Sequence, residues 1–137
     1  MPNLLSRVVT AVALATIAAP AIAHHSVSGQ FDARDSALYT VTGTLKKVDW
    51  INPHIYFAVD VKDKAGKVVT HNFENFPPSF WRRQGVNKAA FKVGDAITVD
   101  AYPARDGTKT LGFAKVIHLS DGRTIATMTA ESAATAR

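Results

Sequence analysis

From His54 to Val61 the chain alternates without a fault: Ile55, Phe57, Val59 and Val61 fall on one side, His54, Tyr56, Ala58 and Asp60 on the other. A period of two sends successive side chains to opposite faces of a strand, so this run commits the chain to a sheet with one buried face. Asn52-Pro53 before it and Lys62 to Lys67, with Gly66, after it are turn compositions. Tyr39 to Trp50 predicts a longer strand, with Val41, Gly43 and Leu45 in one phase and Val48 and Trp50 in the other. The phase change at Lys46-Lys47 predicts a bulge or sharp bend, which lets one strand serve two sides of a barrel. Val68 to Phe76 predicts a third strand, stopped by Pro77-Pro78.

Ser79 to Gln84 predicts a short helix capped by Ser79, anchored by Phe80 and Trp81 and ended at Gly85, with a further turn between Asn87 and Phe91. Ile97, Val99 and Ala101 then alternate with Thr98 and Asp100 in a fourth strand. Arg105-Asp106-Gly107 is a hairpin signal, Leu111 to Leu119 a fifth strand, and Arg123 to Thr127 a short extension after the Asp121-Gly122 turn. Three strands, a short helix and two strands is the order of a five-stranded OB-like barrel, an all-β fold whose closure removes exposed edges. A small open sandwich of the same strands is the alternative.

The N-terminus is of another kind. Met1 to Arg7 carries one base and no acid, Val8 to Ile22 is almost wholly apolar, and Ala21-Ile22-Ala23 is a small-x-small cleavage site. Residues 1–23 thus read as a secretory signal peptide, which implies a periplasmic protein. The expected organisation is an extended arm over residues 24–38 docked by Phe31, the barrel over 39–127 and a disordered tail over 128–137 rich in Ala and Thr. No later apolar run has spanning length, so no stable membrane anchor is expected after cleavage. The chain has no cysteine, which excludes disulfides and thiolate chemistry. Sixteen bases against eleven acids give a net charge of +5, but the bases are scattered, and no nucleic-acid partner is expected.

Ala23-His24-His25-Ser26, Phe31-Asp32, Gly43 with Val48 to Trp50, Asn52-Pro53-His54, Gly94-Asp95 and Asp121-Gly122-Arg123 together resemble an uncharacterised family of small exported bacterial proteins, a domain of unknown function. The resemblance covers nearly the whole mature chain. Phe80-Trp81 departs from it, where aliphatic residues are expected. It implies compartment and fold and lends no catalytic residue.

Cleavage after Ala23 would make His24 the first residue, with an imidazole and an α-amine on one residue. These two nitrogens and one from His54 suit a T-shaped Cu(II) site, and His25 offers a competing mode through the amine and one backbone nitrogen. Zinc with a carboxylate such as Asp32 or Asp49 is the other metal option, and spacing alone picks no tetrahedral set. Against this, His54 after a proline is an ordinary turn residue whose ring bonds a nearby carbonyl. His71, in phase with Val69 and Phe73, reads as a core or barrel-end histidine held by a hydrogen bond. Glu74 and Glu131 are the only glutamates, no phosphate loop is present, and no enzyme is expected. The sequence supports a periplasmic, non-enzymatic binding module holding copper or zinc through His24, His25 and His54. The alternative is metal-free recognition of an envelope protein or a glycan by a rim of Trp50, Asn52 and Tyr56.

Overall fold

The computed structural model describes residues 27–127; the expected signal peptide, His24, His25 and the expected tail lie outside them. The chain runs through α1 (Val27–Gln30), β1 (Tyr39–Asp49), β2 (Ile55–Lys62), β3 (Val68–Asn75), α2 (Pro78–Arg83), β4 (Ala96–Pro103), β5 (Leu111–Leu119) and β6 (Thr124–Ala126). The strands lie in the order β3-β2-β1-β4-β5-β6. A parallel pairing of Asn72–Glu74 with Leu111–Phe113 joins β3 to β5 and closes the first five strands into a barrel. This is the OB-like architecture, with α2 between β3 and β4 and β6 extending β5 as an antiparallel partner.

Ile55, Phe57 and Val59 are fully buried, and Tyr56, Ala58 and Asp60 between them are half-buried on the outer face. The phase change in β1 is a bulge: Leu45 pairs with Val59 and Lys47 with Ala58, so Lys46 is the extra residue. The bend lets Val41 and Leu45 before it and Val48 after it all enter the core. A second bulge, at Lys115, does the same for Ala114 and Ile117 in β5. Two glycines permit close approach. A Cβ on Gly43 would press into the Asp60 carbonyl, and one on Gly112 into the Tyr39 hydroxyl, which crosses the barrel interior.

One end of the barrel is filled by aromatic rings. Trp81 of α2 packs 5.9 Å from Trp50, 5.8 Å from Phe57 and 5.6 Å from Phe91, centroid to centroid. Ser79 does not cap α2. The helix begins one residue earlier with Pro78 at its first position, where a missing N–H costs nothing, and Pro77 makes no side-chain cap. Gly85, with φ of +74°, ends it as expected. Toward the other end, His71 does face inward, its ring stacked on Phe73. Its Nδ1, however, is buried without a hydrogen-bond partner among the described residues, and burial lowers its pKa.

The arm before β1 lies on the outer surface of β4 and β5. Phe31 is 1% exposed, seated among Tyr102, Ala104 and Phe113. Arg105 N donates to Gln30 O and Asp32 N to Pro103 O. The path is not extended throughout, since α1 and a 3-10 turn at Asp35–Ala37 flank the anchor.

Asn75 ties the elements together. Fully buried, its carboxamide donates to Ala114 O (2.7 Å) and Thr127 Oγ1 (3.0 Å) and accepts from Phe76 N (2.7 Å) and Trp81 Nε1 (3.0 Å). Removing it strands the buried Trp81 indole N–H on α2 and the Phe76 N–H just before the helix. Asn75→Ala is expected to cost about 3 kcal/mol, read as a lower urea midpoint at unchanged slope.

Candidate functional site

The loop from β1 to β2 is Trp50-Ile51-Asn52-Pro53-His54, with a cis bond between Asn52 and Pro53. It is fastened at both ends. Trp50 packs against Trp81 and Phe91, which roots the start of the turn in the core. At the other end His54 Nδ1 lies 2.5 Å from Glu74 Oε1. Between the anchors Ile51, Asn52 and Pro53 are exposed, Ile51 at 56%.

Glu74 sits on β3 directly opposite Tyr56 on β2 and is only 5% exposed. A carboxylate removed from water must be compensated by hydrogen bonds and opposite charge. The His54 ring is its ion-pair partner when protonated, and the Tyr56 hydroxyl lies beside it. Burial, and then the charge and hydrogen bond of Glu74, push the Tyr56 phenol above its ordinary pKa. Because Nδ1 faces Glu74, Nε2 is the ring nitrogen of His54 turned away from it.

The outer face beside the turn is ordered by register. Asp49, Tyr56 and Glu74 form one row across β1, β2 and β3; Lys47, Ala58 and Asn72 form the next. Beyond them Asp60 pairs with Thr70, and Lys46 reaches both, at 3.3 Å and 3.0 Å. Lys47 is paired with Asp49 at 2.8 Å. A separate cavity of about 250 Å³ lies away from this face, lined by Leu45, Ala90, Lys92, Ile97, Leu119 and Asp121.

Of the residues singled out from sequence, Trp50, Asn52, His54 and Tyr56 are gathered on this turn and the start of β2, whereas His24 and His25 lie outside the described residues. Trp50 is part of the aromatic cluster and so frames the rim. The His54 ring faces the Glu74 carboxylate instead of the carbonyl expected for a turn histidine. Asp32 is taken by Arg34, whose hydrogen bond leads in holding its carboxyl down to about 2, and Asp49 by Lys47. Among the described residues no three His, Cys, Asp or Glu side chains are grouped to hold a metal. Glu74 was missed as the partner of His54. The signal was available: reflecting the hairpin about Ala65 sets Tyr56 opposite Glu74.

Residues 11–113 match the family described as Family of unknown function (DUF6152). The chain belongs to this family. The matched span contains the whole turn, Tyr56 and Glu74. No curated protein and no solved structure matches the chain. Among the described residues no helix is long and apolar enough to cross a membrane.

Glu74→Gln keeps the shape and removes the charge. With His54 about a third exposed, loss of this ion pair is expected to cost about 1 kcal/mol. The Tyr56 phenol should then ionise at lower pH, since the negative neighbour opposing phenolate is gone, while staying above an ordinary tyrosine because burial remains. Ultraviolet titration of the variant beside the parent reads this directly.

Proposed function

We propose that this DUF6152 protein is exported to the periplasm and acts there as a non-enzymatic recognition module, binding a protein or glycan of the cell envelope with the rim around Trp50, Asn52 and Tyr56. The carrying observation is the double anchoring of the turn. Trp50 in the aromatic cluster and His54 on Glu74 hold Ile51 and Asn52 exposed at a fixed place beside the outer face of β2 and β3. A pre-ordered rim binds without the entropy cost of ordering a loop. Barrels of this class use the same face for oligonucleotides and oligosaccharides, an analogy of fold. The leader composition of residues 1–23 supports export.

The test is capture from a solubilised envelope fraction on immobilised protein beginning at His24. Ile51→Arg should lower the retained ligand about tenfold, as loss of a central contact does. Equal retention by parent and variant would defeat the reading.

A second reading has its own support. A carboxylate holding Nδ1 of a histidine is the arrangement that orients a metal-ligating imidazole, and here it presents Nε2. Cu(II) or Zn(II) bound by His24, His25 and His54 would use that nitrogen together with the amine freed by cleavage. In copper calorimetry on protein beginning at His24, placing one residue before His24 and, separately, His54→Ala should each weaken binding about tenfold or more. Affinity unchanged in both removes the metal.

A further inference from the structure

We infer that the open edge of β3, Val68 to His71, is a docking site where an acidic, extended peptide segment of a partner protein adds as a further strand. The site lies at the opposite end of β3 from Glu74 and stands or falls apart from the rim.

The closure of the barrel is partial. β3 has eight residues, and β5 pairs with Asn72, Phe73 and Glu74 alone. The chain leading into β5 is in a turn at Lys109-Thr110, and among the described residues no strand lies against Val68 to His71 on that side. Phase decides which backbone groups this leaves open. Asn72 N donates to Thr110 O at 2.8 Å, away from β2, whereas Asp63 N donates to Lys67 O across the hairpin. Residues two apart along a strand turn their N–H and C=O to the same side. Thr70 and Val68 therefore share the direction of Asn72 and present their backbone donors and acceptors to the open edge. Val68 is 49% exposed. Four residues at about 3.3 Å make an edge of roughly 13 Å, enough for one short strand. Main-chain bonds along such an edge give affinity, and the side chains flanking it choose the peptide.

The flanks are cationic. Lys62 stands opposite Val68 at the end of β2, Lys64 and Lys67 lie in the turn between the two strands, and Lys109 lies beside Thr110 at the other end of the edge. All four are exposed, and among the described residues none makes an ion pair. The neighbouring acids are engaged: Asp60 with Lys46 and the Thr70 hydroxyl, Asp63 with the backbone N–H groups of Ala65 and Lys67, Asp106 with that of Thr108. An acidic strand gains from each of these lysines, whereas a second copy of the same edge would bring like charges together. Alternation refines the match. On the inward side an added strand would lie beside Val69 and the His71 ring, both half-buried, and on the outward side near Lys62. The fitting segment alternates apolar and acidic residues.

The test titrates protein beginning at His24 with a peptide of about eight residues alternating valine and glutamate, with a version carrying lysine for glutamate, and with a version N-methylated on every backbone amide. Calorimetry and NMR amide shifts are the readouts. The acidic peptide should bind with Kd below about 1 mM and shift the Val68 and Thr70 amides, and the lysine and N-methylated versions should each bind at least about tenfold more weakly. In the protein, Val68→Pro removes an edge-facing N–H at the first residue of the strand, where proline is accommodated, and Lys62→Glu reverses a flanking charge. Each should weaken the acidic peptide about tenfold; matching circular dichroism spectra certify both variants as folded, and the peptide comparison needs no variant. No binding at about 1 mM, equal binding of the lysine version, or affinity unchanged in both variants each overturns the proposal. Retention of the N-methylated peptide does so too, since charge alone then holds it. A concentration-dependent dimer that Val68→Pro dissolves, read by sedimentation, gives the edge to a second copy and overturns the acidic partner.

Discussion

The carboxamide of Asn75 ties together β5, Thr127 and the helix at the point where the backbone pairing of β3 with β5 ends. β3 must stop where it does, because Pro77 and Pro78 follow and neither has an N–H to offer a neighbouring strand. At that stop the side chain of Asn75 takes over. It reaches β5 at Ala114, the residue after β6 at Thr127, the entrance of the helix at Phe76 and the indole of Trp81 inside it. Both of its donor hydrogens and its oxygen are used, so a polar group sits at the centre of the core without a desolvation penalty left over. Thr127 reinforces the point by donating to Ala114 O while accepting from Asn75.

The rim depends on the same strand end. Alternation along β3 sends Asn75 inward and Glu74 outward. From inside, Asn75 fixes the Trp81 ring, and Trp81 packs on Trp50 at the start of the turn. From outside, Glu74 holds His54 at its end. Two consecutive residues therefore secure both ends of a loop that is twenty or more residues away in sequence. The exposed tip is held by the fold, not by its own short-range contacts.

Much of the barrel was legible because its signals are local. The alternation in β2, the phase change at Lys46-Lys47 and the turns at Gly66, Gly107 and Gly122 are properties of neighbouring residues, and each has its counterpart in the structure. What escaped is of two kinds. Ser79 was a plausible cap, but Pro78 suits the first helical position and moves the boundary back by one. The bulge at Lys115 leaves no mark comparable to the lysine pair in β1, since Ala114 and Val116 are both apolar. For His71 the inward phase was readable and the missing partner of Nδ1 was not, because partners come from other strands.

The sequence by itself determined the periodicity, the turn positions and the order of strands and helix, and these suffice for an OB-like barrel because each rests on contacts between near neighbours. Only the tertiary structure decided which polar residue serves the core and which serves the rim. Asn75 and Glu74 are adjacent, similar in size and both nearly inaccessible, yet one closes the barrel and the other orients a histidine. Their roles are set by cross-strand register and by which side of the sheet each faces, quantities that exist only once strands distant in the chain have paired.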